Sequence, residues 1–174
     1  MTTETTATHT TSGASETSRT GAGAGARIRS LWDRLSRWPG GKRLFSFLLG
    51  KTAPYTGTIG ARVEELRRGY CRVTLRDRHK VRNHLRSIHA IALMNLAEMC
   101  SGLAAIYTMD PSLRGIITHL EMDYLKKARG RLIGECTVSE LSSTERREEE
   151  FEVKISNESG DLVARARAHW LLGV

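Results

Sequence analysis

The chain has 174 residues, of which 40% are hydrophobic and 26% are charged, and it carries a formal net charge of +8. Its length fits one domain with or without a tail, and its hydrophobic fraction excludes a wholly disordered chain. No unbroken apolar run reaches the roughly eighteen residues of a membrane-spanning helix. Cys71, Cys100 and Cys136 are too far apart for a disulfide framework or a zinc motif, so we expect a cytoplasmic protein.

The excess positive charge is confined to one part of the sequence. Residues 27–51 contain seven Lys and Arg against one acid, and residues 52–86 contain nine against three, whereas residues 87–174 are net acidic. A localised basic region predicts an anionic partner, which could be nucleic acid, a membrane surface or a phosphate-bearing small molecule.

The N-terminal third divides into a leader and a helical extension. Residues 1–26 consist mostly of Thr, Ser, Ala and Gly, so we expect a disordered leader without the apolar core of a secretory signal. Apolar residues then recur at helical spacing from Arg27 to Trp38, and a second apolar segment runs from Lys42 to Leu49 after Pro39-Gly40-Gly41. We expect this extension, residues 27–53, to pack on its own domain or on a second subunit. Peripheral membrane contact through residues 27–49 is the alternative.

Residues 54–174 predict one α+β domain. Alternating apolar residues indicate two strands as a hairpin, the run from Ile88 to Met109 is apolar on every side, and four further alternating segments follow (Leu120–Tyr124, Leu132–Val138, Phe151–Ile155 and Leu162–Trp170). Consecutive strands with short turns are largely antiparallel, and a helix that is apolar all round has to be enclosed. The pattern therefore predicts a curved antiparallel sheet wrapped around one long central helix.

Glu98 is the only formally charged residue between Ile88 and Met109. Because an unpaired buried carboxylate is costly, we expect it either to pair with Arg86, Arg114 or a backbone amide, or to act as a general base or nucleophile. His89 lies at the start of the helix, nine residues earlier, which corresponds to about 13 Å of rise. One helix cannot bring its N-terminal amides and its own Glu98 onto one small substrate, whereas two antiparallel copies can. The spacing predicts a dimer with shared sites.

The pattern Asn83-x5-His89-x8-Glu98 resembles the hot-dog-fold thioesterases, in particular the branch whose motif reads Asn, then His-Gly-Gly, then Asp or Glu. Residues 124–130 are similar to a later strand-ending segment of that family, and residues 160–164 to its last hairpin, so the resemblance covers about residues 55–174. It implies a hot-dog fold, a homodimer or homotetramer, and hydrolysis of an acyl-CoA-type thioester. Coenzyme A would enter as part of the substrate, and no bound cofactor is implied.

The resemblance also implies roles for individual residues. Glu98 matches the catalytic carboxylate, which activates water or attacks the carbonyl, and Asn83 matches the residue that orients the water or the carboxylate. Backbone amides around Ala90 and Ile91 would polarise the thioester oxygen. His89 belongs to the same motif, although a capping role at the helix start is favoured over proton donation. Asn95 either lines an acyl tunnel or hydrogen-bonds locally, and the candidates for holding the coenzyme A phosphates are Arg82, Arg86, Lys126, Lys127 and Arg129.

Two departures from the motif keep a non-catalytic function open. Ala90-Ile91 stands where the family has Gly-Gly, and Arg86 stands where it usually has a glycine, so an acyl-CoA- or lipid-binding module is the main alternative. Nucleic-acid binding is less favoured, because Tyr70 is the single aromatic residue in the basic hairpin. No metal site is expected, because residues spaced by five do not converge on one ion (His79, His84 and His89).

Overall fold

The structure is a computed structural model that describes residues 20–110, 113–141 and 145–173. Three helices come first, α1 (Thr20–Leu35), α2 (Gly41–Thr52) and α3 (Pro54–Thr58). They are followed by β1 (Arg62–Arg67), β2 (Tyr70–Leu75), a 3-10 turn (His79–Val81), α4 (Ala90–Thr108), β3 (Gly115–Tyr124), β4 (Leu132–Thr137), β5 (Arg147–Asn157) and β6 (Leu162–Leu172). The predicted α+β class and the predicted element order are confirmed.

The strands form one antiparallel sheet in the order β1-β2-β4-β5-β6-β3, and α4 contacts all six of them. Most side chains of α4 are buried, which is why its sequence is apolar on nearly every side. Gly102 allows the sheet to approach closely, since a Cβ at this position would lie 3.2 Å from the ring of Trp170 on β6. The curved sheet therefore encloses the central helix, as the sequence predicts.

By length and composition alone, α4 is the one described helix that could cross a membrane. In the fold, however, 67% of its most apolar window is buried. Enclosure by the sheet accounts for its hydrophobicity, because a core helix meets the same compositional criteria as a spanning helix.

The N-terminal helices differ from the prediction in their bounds. Helix α1 begins at Thr20, inside the predicted leader, so residues 20–26 are helical, while residues 1–19 lie outside the described part of the chain. Packing explains the extra turns, since Gly25 lies against Ile106 of α4 and Trp32 packs edge-on against Phe45 of α2 with ring centroids 5.0 Å apart. Tertiary contact thus outweighs the linker-like composition on which the prediction rested. Packing of this extension on its own domain is confirmed.

The first strand also starts later than its alternating pattern predicts. Helix α3 occupies residues 54–58, and β1 begins at Arg62 with a bulge between Val63 and Glu65. The bulge breaks the period of two, so Val63 and Leu66 are the buried positions of this strand.

The two edge strands of the sheet, β1 and β3, differ in how the rest of the chain covers them. At β1 the hydroxyl of Ser46 on α2 accepts from the Val63 amide at 3.0 Å, and Lys42 donates to the Glu64 carbonyl at 2.6 Å. At the other edge, β3 pairs only with β6 among the described strands, and its Ile116 is 57% exposed. The covered edge is β1, and the ten-residue strand β3 is open to a further strand.

Candidate active site

The turn before α4 is organised by Asn83. The side-chain Oδ1 of Asn83 accepts from the backbone amides of Leu85 at 3.0 Å and Ser87 at 3.1 Å. The backbone amide of Asn83 donates to the Ser87 carbonyl at 2.8 Å. An asparagine suits this position because its side chain closes the turn by bonding the backbone a few residues ahead. The Oδ1 atom is therefore occupied, and Nδ2 is the group that Asn83 can offer to a ligand.

Arg86 adopts a left-handed backbone conformation with φ of 56°. This region favours glycine, because a Cβ is crowded there. The turn thus requires the conformation that the glycine of the related motif supplies, and an arginine adopts it in this chain.

His89 caps the central helix. Its Nδ1 accepts from the Ile91 amide at 3.1 Å, and its carbonyl accepts from the amides of Ala92 and Leu93. The capping role favoured from sequence is confirmed, and it also occupies one of the two amides predicted to polarise a thioester oxygen. The Ala90 amide has no acceptor among the residues that the structure describes.

A cavity of about 330 Å³ lies at this helix start. It brings together Asn83 and Ala90 with Lys126 and Lys127, four residues that were predicted from sequence to act in one site. The remaining lining is largely apolar (Leu85, Ile88, Leu93, Tyr124, Leu125 and Ala128) apart from Ser87. Four of the predicted site residues therefore share one concave place in the fold.

Two lining residues were missed from sequence. The Ser87 side chain is only 6% exposed, and its hydroxyl has no hydrogen-bond partner among the described residues. Tyr124 donates to the Ala90 carbonyl at 3.5 Å, and desolvation raises the pKa of Tyr124, which keeps this hydroxyl protonated. Ser87 could have been found from its place in the turn, whereas Tyr124 reaches the site through strand pairing.

The predicted phosphate-binding cations differ in availability. Arg82 forms a 2.5 Å ion pair with Asp77, and Lys126 forms a 2.8 Å ion pair with Asp161. These hydrogen bonds lower the pKa of each carboxyl, and the Gly130 amide also donates to Asp77 at 3.0 Å. The other three candidates are exposed and make no ion pair with a described residue (Arg86, Lys127 and Arg129).

Glu98 does not line this cavity. It lies with Ile91 and Met94 on the least buried stripe of the first half of α4 and is only half-buried, so the expectation of a buried carboxylate is wrong for the single chain. Its side chain has no hydrogen bond or ion pair with any described residue, so Glu98 does not pair with Arg86 or Arg114 in this structure. The reason is that the sheet covers the opposite side of α4.

Asn95 has a local role in the structure. Its Nδ2 donates to the Tyr55 carbonyl of α3 at 3.0 Å, while its buried Oδ1 has no partner among the described residues. Asn95 therefore ties α3 to α4 and does not line the cavity at the helix start.

Potential metal ligands and thiols lie elsewhere. His119, Glu121 and His169 place their ligand atoms within 4.8 Å of one another across β3 and β6, where Glu121 is paired with Arg167. The three cysteines are free and buried, and burial raises the pKa of Cys100 and Cys136. Buried protonated thiols are poor nucleophiles, so the chemistry of the cavity does not depend on them.

Comparison with known proteins assigns the chain to a family. A model described as a domain of unknown function (DUF4442) matches residues 41–172. The chain belongs to this family. The match begins at Gly41 and so includes α2 together with the whole sheet and α4. Comparison with curated proteins gave no match.

Solved structures resemble the whole DUF4442 domain. A structural-genomics protein is 27% identical, with a TM-score of 0.73 over 86% of this chain and 97% of that one. A Pseudomonas aeruginosa protein described as a probable thioesterase is 23% identical, with a TM-score of 0.68 over 78% and 95%. A Haemophilus influenzae thioesterase is 15% identical, with a TM-score of 0.63 over 71% and 87%. With these neighbours, the predicted hot-dog fold is confirmed.

Proposed function

We propose that this DUF4442 protein is a cytoplasmic homodimeric thioesterase that hydrolyses an acyl-CoA or a related acyl thioester at sites shared between two protomers. The observation that carries the proposal is the cavity at the start of α4, which is lined by Asn83 and by Ala90, whose amide bonds no acceptor among the described residues. The resemblance to a probable thioesterase from Pseudomonas aeruginosa supports the same reaction class.

The open edge supports the dimer. Strand β3 has ten residues, no neighbour on one side among the described strands, and exposed apolar side chains such as Ile116. Such an edge is a template for pairing with another chain, and a two-fold pairing of β3 with its copy is self-complementary. The pairing would extend the sheet and bring the exposed stripe of α4, with Glu98, towards the second protomer.

In this dimer the reaction uses one group from each protomer. The Ala90 amide of one protomer donates to the thioester oxygen, and the carboxylate of Glu98 from the other protomer removes a proton from water. The water oxygen bonds to the carbonyl carbon, negative charge develops on the carbonyl oxygen, and the carbon–sulfur bond then breaks. The thiolate takes the proton held by Glu98, which leaves a carboxylic acid and free thiol. As a nucleophile, Glu98 would instead form an anhydride that water hydrolyses.

Asn83 and three cations have further roles in the proposed reaction. The Nδ2 of Asn83 is the donor that orients the water or the carboxylate, because its Oδ1 is held by the turn. Arg86, Lys127 and Arg129 are the exposed cations available to the phosphates of coenzyme A. Arg82 and Lys126 would have to share their charge with Asp77 and Asp161.

A thiol-release assay across acyl chain lengths tests the proposal. Glu98→Ala should lower the hydrolysis rate by about 100-fold or more, in the range that a general base supplies. Glu158→Ala, which removes an exposed carboxylate at the β5–β6 turn, is the matched control and should keep the wild-type rate. A Glu98→Ala protein that hydrolyses the same thioesters as fast as wild type would contradict the mechanism.

A non-catalytic acyl-CoA- or lipid-binding module is the second candidate. The observation that favours it is the bond between His89 Nδ1 and the Ile91 amide, which leaves one free amide at the predicted oxyanion position. This candidate predicts acyl-CoA affinity without turnover by wild type or by Glu98→Ala. Salt-dependent binding to DNA or RNA, with no acyl-CoA affinity, would instead support a nucleic-acid-binding protein.

A further inference from the structure

A second and larger cavity lies away from the candidate active site. It is a groove of about 1150 Å³ between α2 and α3 on one side and β1 and β2 on the other. None of its lining residues belongs to the cavity at the start of α4. It is therefore a separate concave site, formed by the N-terminal helices where they cover the edge of the sheet.

The groove is strongly basic. Six cationic side chains line it against the single carboxylate of Glu64 (Arg43, Lys51, Arg62, Arg76, Arg78 and Arg131). Five of the six come from residues 27–86, the segment that holds the excess charge of the whole sequence. Folding thus gathers cations from several elements into one concave surface, where their potential is focused.

Four of these six cations make no ion pair with a described residue. Glu64 Oε1 lies 3.3 Å from Arg62 Nε and 3.4 Å from Arg131, so one carboxylate serves two guanidinium groups. Arg78 donates to the Ile59 carbonyl at 2.6 Å, which holds the side chain without neutralising it. Three further cations make no ion pair with a described residue (Arg43, Lys51 and Arg76).

The groove also offers apolar surface and a fixed shape. Phe47 is 61% exposed at the groove, and the buried residues Leu49 and Met99 contribute to its wall. Helix α3 folds back closely on α2, since a Cβ on Gly57 would lie 2.7 Å from the Gly50 carbonyl oxygen. The close packing of α3 on α2, which shapes the groove, therefore depends on the contact between Gly50 and Gly57.

We propose that this groove binds an amphiphilic phosphate ester, with the phosphate held by Arg43, Arg76 and Lys51 and the apolar chain against Phe47 and Met99. Guanidinium groups bind phosphate oxygens in a bidentate fashion, and a neighbouring apolar wall stabilises a hydrocarbon chain by burial. The volume is at the upper end of small-molecule sites, as a long ligand requires. The site is independent of the thioesterase proposal because the two cavities share no residue.

Isothermal titration calorimetry on the full chain tests this site. The two probes are S-decyl-coenzyme A, a thioether that cannot be hydrolysed, and dihexanoyl phosphatidic acid below its micellar concentration. The test variant is Arg43→Ala/Arg76→Ala. The control is Lys154→Ala/Arg165→Ala, which removes the same charge from β5 and β6, outside both cavities.

We expect wild type and the control to bind at least one probe with affinities within two-fold of each other, and the test variant to lose this binding by at least ten-fold. Any binding of S-decyl-coenzyme A that the test variant retains would then report the cavity at the start of α4. Affinity should fall as salt rises, and coenzyme A or glycerol phosphate without the acyl chain should bind more weakly. Tighter binding of S-decyl-coenzyme A identifies the natural ligand as a carrier thioester, and tighter binding of the phosphatidic acid identifies it as a lipid. Failure of both probes, or equal binding by the test variant and the control, overturns the proposal whether or not the protein hydrolyses thioesters.

Discussion

The free amide of Ala90 can be removed by one substitution with little expected damage to the fold. Ala90 is the first residue of α4, a position where proline is tolerated because its missing amide has no helical acceptor. The preceding His89 already has φ of −65° and ψ of 141°, the region to which a residue before proline is restricted. Ala90→Pro should therefore remove one hydrogen-bond donor and leave the helix start in place.

The expected effect follows from the role of that amide. If it is the donor to the developing oxyanion, its loss should lower kcat by about 100- to 1000-fold, or about 2.7–4 kcal/mol. Stability should change little, because the amide bonds no described acceptor in the folded chain. The measurements are thiol release with saturating acyl-CoA and urea unfolding of the same preparation.

Ala90→Gly is the matched control for this experiment. It keeps the amide and introduces the residue found in the related motif, so its hydrolysis rate should equal or exceed that of wild type. An Ala90→Pro protein that unfolds at the wild-type urea concentration and hydrolyses at the wild-type rate would refute the assignment of this amide.

Substitutions at three further positions test the turns around the cavity. His89→Ala should lower the free energy of unfolding by about 1 kcal/mol, because it removes the cap of α4. His89→Asn should retain both stability and hydrolysis, since asparagine is a strong N-cap residue. Loss of hydrolysis in His89→Asn would indicate a catalytic imidazole. Arg86→Gly should raise stability by up to about 1 kcal/mol in urea titrations because it relieves the left-handed conformation, and Arg86→Ala should not. Asp77→Asn should destabilise by about 1 kcal/mol at neutral pH. Because the hydrogen bonds from Arg82 and Gly130 lower the pKa of Asp77, the difference in the free energy of unfolding between wild type and Asp77→Asn should persist above about pH 5 and shrink as pH falls below about 4. A difference that stays constant with pH would contradict this role of the Asp77 carboxylate.

The architecture could be predicted because its signals are local. A predominantly apolar stretch of helical length at α4 and alternating strands on either side allow few arrangements other than a sheet around a helix. The turn at Asn83 and the cap at His89 are also local, since each bonds backbone groups within four residues. These parts of the candidate site were accessible from sequence for the same reason.

The parts that were missed depend on distant contacts. The helical state of residues 20–26 accompanies a contact of Gly25 with Ile106 of α4, which composition does not reveal. The groove assembles Arg43, Arg76 and Arg131 from three different elements, so its cations appear in sequence only as a diffuse basic segment. Glu98 was expected to be buried because its neighbours are apolar, but the described residues leave one stripe of α4 partly uncovered.

In the proposed dimer, each site contains Glu98 from one protomer and the Ala90 amide from the other. A heterodimer of Glu98→Ala and Ala90→Pro protomers tests it directly, after co-expression with two different affinity tags and purification through both. One of its two sites then combines an intact Ala90 amide with an intact Glu98, while the other site carries both lesions.

Each parent homodimer should lose about 100-fold or more in hydrolysis rate, while the heterodimer should recover about half of the wild-type rate per dimer. A heterodimer no more active than its parents would contradict the claim, because it would show that each protomer must supply both groups to its own site.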